Sequence, residues 1–287
     1  MNTISTKTYR DKYRLANLDI VLRKAMVAEK VCMVDRSGLK TLQSPYGSQA
    51  TATVQAIAGT YSPSTYSTTD DTLTVTDEII VAEHIFDFEQ TLTNFDVFAS
   101  RVDEQQYAVA QALDVYVLNN LLEAGTGTYT TPTGGFTTAA NINTIMANLI
   151  SKVAGFAESY KGLYLVIENT DMVGFIQAQA TNGFNFADAA LNNGFMTNYM
   201  GVEIYVVRSG TFTDASADST SGSTTWTNSG HRLFGVKNIS TFAAPQGVKF
   251  EEKMVSGKTG MEVVTYGYVG FKAWAPKLAL TIDITLA

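Results

Sequence analysis

Cysteine occurs once in this chain, at Cys32, so no internal disulfide can form. Its setting between Val31 and Met33 is that of a small buried hydrophobe. A disulfide-stapled secreted scaffold is thereby excluded, and folding in a reducing cytoplasm is expected. Histidine occurs only at His84 and His231, in neither an HExxH nor an HxH setting, which is too few for most metal or triad constellations. Both are read as structural. Long apolar runs are missing too: none approaches the roughly 20 residues needed to cross a bilayer. The start, MNTISTKTYRDKYR, has charges with no apolar core behind them, so neither a membrane span nor a secretory signal is expected. The widest absence is of positive charge. Residues 41–151 hold Arg101 alone against twelve acids, a balance of −11.

The missing bases are gathered at the front. Residues 1–40 carry nine (Lys7, Arg10, Lys12, Arg14, Arg23, Lys24, Lys30, Arg36 and Lys40) against four acids, a balance of +5. Residues 152–287 are near neutral at −1, which completes the net charge of −7. Soluble monomers usually intersperse their signs, because like-charge crowding works against the compact state. A basic leader before an acidic body suggests docking on acidic surface, its own or a neighbour's, with charge setting register more than affinity. The acidic total argues against a whole-surface nucleic-acid binder, although the leader could touch phosphate. At 287 residues, 45% of them hydrophobic and 11% aromatic, the chain has material for one large or two ordinary domains and is not mainly disordered.

Apolar spacing divides the chain. Leu15, Leu18, Leu22, Ala25 and Met26 recur at helical intervals, predicting a short amphipathic helix that Gly38 terminates. Residues 43–72 (QSPYGSQATATVQAIAGTYSPSTYSTTDDT) have little to bury and read as a long hairpin leaving the body. On its return, Leu73, Val75, Ile79 and Val81 share a face; after His84 the apolar phase moves to Phe86 and Phe88, which indicates a bulge or a passage between sheets. A long helix is predicted from Asp96 as N-cap to Ala124, closed by Gly125, with Val102, Val109, Leu113, Val117 and Leu121 in one stripe. At 1.5 Å per residue it would be about 42 Å long.

Residues 125–135 (GTGTYTTPTGG) then read as a loop into an α/β region. There Ile142, Ile145, Leu149, Val153 and Phe156 make a helix face, Leu163–Ile167 a buried strand, Asp171 the cap of a helix through Met172–Ala178, and Val202–Val207 another strand. Residues 209–230 are polar and low in complexity, a surface loop with Trp226 as its large apolar anchor. Strands resume at Leu233–Val236 and at Val263–Phe271, the latter apolar on both faces. Leu278, Leu280, Ile282, Ile284 and Leu286 alternate strictly and predict a final strand.

Chemistry-bearing motifs do not assemble. No GxSxG elbow is present. Ser256-Gly257-Lys258-Thr259 resembles the end of a phosphate-binding loop, but Glu252 stands where the motif needs its first glycine, so a hairpin turn is predicted. Gly125, Gly127, Gly134 and Gly135 lack dinucleotide-binding spacing and follow a helix rather than a strand. Asp70-Asp71, Asp77-Glu78 and Glu251-Glu252 are adjacent acids, which in a strand point to opposite faces. No catalytic residue, metal ligand or cofactor is assigned, and the chain is not read as an enzyme.

A basic arm, a protruding two-stranded excursion, a long spine helix, an inserted α/β domain and a long closing strand together resemble the major capsid proteins of tailed bacteriophages, the α+β Hong Kong 97-like fold. The local likeness lies in LTVTDEIIVAEHIFDFEQTLTNFDVFASRVDEQQYAVAQALDVYVLNNL (73–121) and in GMEVVTYGYVGFKAWAPKLALTIDI (260–284). The resemblance implies an N-terminal arm 1–40, an extended loop 41–82, a peripheral domain 83–135 plus 236–287 with the spine helix, and an axial domain 136–235. It also implies self-assembly into hexamers and pentamers of an icosahedral head around double-stranded DNA, located in the virion and assembled in the host cytoplasm. A portal and a separate scaffolding protein are expected as partners, with DNA contacted non-specifically. Loop 41–82 contains no Lys, which leaves the lysine–asparagine crosslinking of some relatives without a match. Lys7, Arg10, Lys12, Arg14, Arg23 and Lys24 on the arm, and Asp70, Asp71, Asp77 and Glu78 on the loop, become the expected inter-subunit contacts. An encapsulin-like compartment shares the fold, and a phage tail or fibre protein is a further alternative suggested by the Thr/Ser-rich strands.

Overall fold

The computed structural model describes residues 27–85, 97–181, 198–244, 249–254 and 260–287, apart from positions 49, 51, 53, 55, 58, 61, 62, 64 and 219. The six basic arm residues, the helix expected around 15–26, Phe86 and Phe88, and the turn at 255–259 lie outside the described residues. The elements used below are, in chain order, α1 (Ala28–Val31), β1 (Met33–Asp35), β2 (Thr41–Gly47), β3 (Thr68–Thr74), β4 (Asp77–Ile85), α2 (Val97–Ala124), β5 (Gly127–Thr130), α3 (Ala139–Val153), β6 (Leu163–Glu168) and α4 (Met172–Thr181). They continue with β7 (Asn198–Tyr199), β8 (Val202–Val207), β9 (Asp214–Ala215), β10 (Trp226–Thr227), β11 (His231–Val236), β12 (Ser240–Ala243), β13 (Lys249–Met254), β14 (Met261–Ala273) and β15 (Thr281–Thr285).

Two sheets share one long helix. The six-stranded sheet runs β5-β15-β11-β6-β8-β7. In it β6 and β8 are parallel neighbours, the pairing that a connecting helix such as α4 permits. Tyr164, Leu165, Val166 and Ile167 are all fully buried, because helices cover both faces. On one face α3 (Ile142, Ile145, Met146, Leu149 and Val153) and α4 (Phe175 and Ala178) pack on Leu165, Ile167, Phe234 and Ile282. On the other, Tyr116, Val117, Leu118 and Leu121 of α2 pack on Tyr164, Val166 and Leu233. Helix α4 approaches the turn at Gly135–Thr137 so closely that a Cβ on Gly174 would meet the Phe136 carbonyl oxygen at 1.9 Å.

The second sheet is organised by the 13-residue β14. Its first part pairs antiparallel with β13 on one side and β4 on the other, and its last residues pair with β12, which in turn holds β1 in parallel. The first half of α2 lies on this sheet: Gln105 accepts from the Thr265 hydroxyl at 2.8 Å and donates to Glu83 at 3.1 Å. Strands β2 and β3 form a separate two-stranded ribbon outside both sheets.

The long helix, the excursion and the α/β region stand where the sequence predicts them, and the structure corrects several details. Residues 125–135 are not all loop: Gly127–Thr130 form a strand parallel to β15, whose backbone supplies the pairing that a Gly/Thr-rich segment does not advertise. Phe156 lies beyond the end of α3 and is 45% exposed, so it is not part of that helix face. Asp171 ends a single turn and directs its carboxylate to the Glu168 N–H and to Arg232 rather than capping α4. The final strand starts at Thr281, because Ala275–Leu280 coil into a 3₁₀ helix with Pro276 in its first turn. Val75 and Thr76 join the ribbon to β4, and the phase change expected after His84 falls outside the described residues. Strands β5 and β15, from the two outer segments of the expected domain division, pair within the sheet of segment 136–235.

Candidate inter-subunit surfaces

The β2–β3 hairpin is attached at its root and bare at its tip. At the root Leu73 is buried against Ala243 and Trp274, with Leu42 and Val75 alongside. The Trp274 indole N–H donates to the Thr241 hydroxyl at 2.9 Å, which fixes the ring that receives Leu73. Asp71 anchors the same point, accepting from the Ala275 N–H at 2.9 Å and pairing with Lys272 at 2.7 Å. Burial would raise the Asp71 pKa, but the Lys272 bond and charge, with the Ala275 and Thr72 N–H groups, together hold it below the ordinary aspartate value. Close approach is essential here: a Cβ on Gly270 would meet the Thr74 carbonyl oxygen at 2.6 Å. From there the ribbon leaves the body. Every described position from 48 to 67 is exposed, and Val54 and Ile57 have no cover at all.

The four expected acidic contacts divide in two. Asp70 and Glu78 are exposed and, among the described residues, form no ion pair. Asp71 is spent on the hairpin root, as above. Asp77 accepts from the Tyr116 hydroxyl at 2.5 Å and from the Ser223 N–H at 3.1 Å, tying β4 to α2 and to the 209–230 loop. The alternation of a strand separates each adjacent pair into one inward and one outward carboxylate. Arg101, the lone base of the acidic stretch, is half-exposed but paired within the chain, gripping Glu83 through two nitrogens. That hydrogen bond is the main reason the Glu83 pKa falls.

Polar groups that the sequence leaves anonymous hold the remaining surfaces. Asn119 donates to the Thr211 carbonyl at 2.9 Å and accepts from Asn228 at 3.0 Å; Asn120 accepts from the Trp226 indole at 3.3 Å; Glu123 accepts from the Thr227 N–H at 2.5 Å. These α2 side chains fasten the polar 209–230 segment along the helix. Across the six-stranded sheet, Arg232 lies buried between Glu168, at 3.0 Å, and Asp171. Where the leader enters the body, Asp114 of α2 accepts from the Val27 N–H at 2.8 Å and the Ala28 N–H at 2.6 Å. Burial outweighs those two bonds and raises the Asp114 pKa. Beside it, burial pushes the Cys32 thiol up to about 12, despite the Ser240 hydroxyl at 3.1 Å. The signals that could have marked Gln105, Asn119 and Asn120 are weak: amides on a helix look alike whether they face water or a backbone.

Among the described residues, no three His, Cys, Asp or Glu side chains come together as metal ligands, and no helix is long and apolar enough to cross a membrane.

Neither a protein-family model nor a curated protein matches the chain. Solved structures do. The capsid structure of the cyanophage P-SCSP1u superposes with a TM-score of 0.74 at 15% identity, covering 100% of this chain and 93% of that one. The mature capsid of bacteriophage PhiM1 gives a TM-score of 0.70 at 10% identity, with 94% and 90% covered. The capsid of an empty GTA particle, solved with C5 symmetry, gives 0.69 at 15% identity, with 93% and 92% covered. The α+β fold of this chain is therefore the one found in those capsids, over nearly its whole length.

Proposed function

We propose that this chain is the major capsid protein of a tailed phage, a shell subunit that forms hexamers and pentamers around double-stranded DNA. The observation that carries the reading is the whole-length agreement in fold with capsid structures, the hairpin included, at identities too low for local sequence to have produced it. The exposed ribbon gives that fold a physical reason to associate, since Val54 and Ile57 find no cover among the described residues. On this reading 1–40 is the arm, 41–82 the extended loop, 83–135 with 236–287 the peripheral domain and 136–235 the axial domain, whose sheet borrows β5 and β15 from the peripheral segments. The arm bases Lys7, Arg10, Lys12, Arg14, Arg23 and Lys24 meet acids of neighbouring copies, with Asp70 and Glu78 the members of the acidic set that remain available. Scaffolding protein and portal act in assembly, DNA is contacted without sequence preference, and the chain performs no catalysis.

The test is microscopy and sedimentation of the overexpressed protein, with and without its genomic neighbours. Rings, tubes or closed shells are expected. A population that stays monomeric at high concentration in both conditions removes the reading. Particles filled with protein cargo and lacking a genome would replace it with the encapsulin-like alternative.

A further inference from the structure

The polar segment 209–230 follows β8 of the six-stranded sheet, yet its tip is fixed to the other sheet. It starts through the buried Thr211 and Phe212, and Asn119, Asn120 and Glu123 hold it along α2. Trp226 is buried and packs edge-on against Tyr116, 6.4 Å between ring centroids. Ahead of Trp226 the chain turns about Asp218. Its carboxylate accepts from the Thr220 and Ser221 N–H groups, and its carbonyl from the Gly222 N–H at 2.9 Å. That turn delivers Gly222 and Ser223 to Asp77, the first residue of β4. The Ser223 N–H donates to the Asp77 carboxylate at 3.1 Å and the Ser223 hydroxyl at 3.4 Å. Glycine is required at the tip: its φ is +67°, and a Cβ would meet the Asp77 Cγ at 2.8 Å. The Tyr116 hydroxyl donates to the same carboxylate, so tip, helix and strand meet on one group.

Asp77 directly follows Val75 and Thr76, the connection between the ribbon and β4. On the ribbon side that connection is held by Leu73 and Asp71 at the hairpin root. On the body side it is held by the contact at Asp77. A cleft of about 430 Å³ opens beside it, lined by Gly38, Lys40, Tyr268 and residues 75–78, and by none of the described residues of 209–230. The connection therefore has room to move on that flank. We propose that residues 209–230 form a strap across α2 whose tip latches Asp77, and that release of the tip frees Val75, Thr76 and the start of β4. The composition suits a part that opens locally. Its polar contacts are ones that water replaces at small net cost, so the tip lifts without unfolding the sheets beneath it. The device lies within a single chain and holds or fails independently of the assembly reading.

Hydrogen exchange on the full-length protein, below its assembly concentration, reads the latch. Gly222→Ala lifts the tip while leaving every residue of β4, α2 and the hairpin in place. Asp218→Ala, at an exposed position, loosens the turn that presents the tip. Each is expected to speed exchange within residues 75–80 about tenfold, the loss of a hydrogen bond to a charged acceptor. Rates in β6 and β13 are expected to stay unchanged. The Val75 N–H, which donates to the Lys40 carbonyl at 3.0 Å, reports the connection itself. Thr225→Ala, at an exposed position on the same segment, is expected to leave residues 75–80 at the wild-type rate. Faster exchange confined to 209–230 in both variants overturns the proposal. So does acceleration spread evenly over β6 and α2, which would make the segment a general support of the fold rather than a latch.

Discussion

Strand β6 and the β2–β3 hairpin are both short extended segments, and they solve opposite problems. In β6 every side chain from Tyr164 to Ile167 is enclosed by helices on two faces, and its backbone is paired on both edges. In the hairpin only Asp71 and Leu73 are buried, the two strands pair solely with each other, and the connection is bare. A two-stranded ribbon is marginal on its own in water. The difference separates two kinds of free energy in one chain. Burial in β6 stabilises the fold of the single chain; Val54 and Ile57 at the hairpin tip are bare among the described residues, and on the proposed assembly their burial is left to a neighbouring copy.

Several substitutions break or sharpen this contrast. The largest effect is expected from Phe234→Ala, which opens a cavity against Leu165 and Ile282 and costs about 3–5 kcal/mol of unfolding free energy. Ile57→Ala is expected to change monomer stability by no more than about 0.5 kcal/mol while lowering the yield of assembled particles. Urea unfolding and sedimentation read the two sides, and equal destabilisation by both would erase the distinction.

Next comes Arg232→Met, expected to cost about 3 kcal/mol in the same unfolding measurement, because Glu168 and Asp171 stay buried without their cation. A loss under about 1 kcal/mol would mean that the two carboxylates find water or a proton.

Acid should act on the hairpin root before it acts on the core. The Asp71 pKa is depressed in the folded chain, so its contribution is present above the unfolded value near pH 4 and is lost as pH falls through the folded value. Hydrogen exchange below about pH 4 is expected to show loosening of 41–47 and 68–74 while β6 and β11 remain protected. Asp71→Asn should abolish that selective step, at a cost of about 1–2 kcal/mol at neutral pH.

The smallest effect has the opposite sign. The Asp114 pKa is raised, so the stability linked to it is greatest below the unfolded value near pH 4 and is lost as pH rises through the folded value. Asp114→Asn retains an acceptor for the Val27 and Ala28 N–H groups and removes the buried charge. A gain of about 0.5 kcal/mol or less at neutral pH, with a flatter stability profile above pH 4, is expected by thermal unfolding. A clear loss at pH 7 would show that the two backbone bonds outweigh burial.

What the sequence revealed follows the same division. The spine helix was legible because Val109, Val117 and Leu121 repeat with its period, and β6 because its apolar run is short and unbroken. The excursion was legible from the poverty of apolar residues between Gln43 and Thr72. Where pairing partners decide the matter, pattern fails. Residues 127–130 become a strand only because β15 lies beside them, and Leu278 and Leu280 keep a strand's alternation inside a 3₁₀ turn set by Pro276. The acids near the hairpin stand out in the sequence as a set. Their split into inward Asp71 and Asp77 and outward Asp70 and Glu78 depends on which face meets Lys272 and Tyr116, and that information is tertiary.

Helix α2 is committed at both ends, through Arg101 and Gln105 to one sheet and through Asn119 and Asn120 to the segment beside the other. A rod clamped twice cannot pivot. Torque on one sheet is carried by the helix to the other, and on the proposed assembly the bending of a curved shell would fall on Val75 and Thr76, the two residues that join the ribbon to β4.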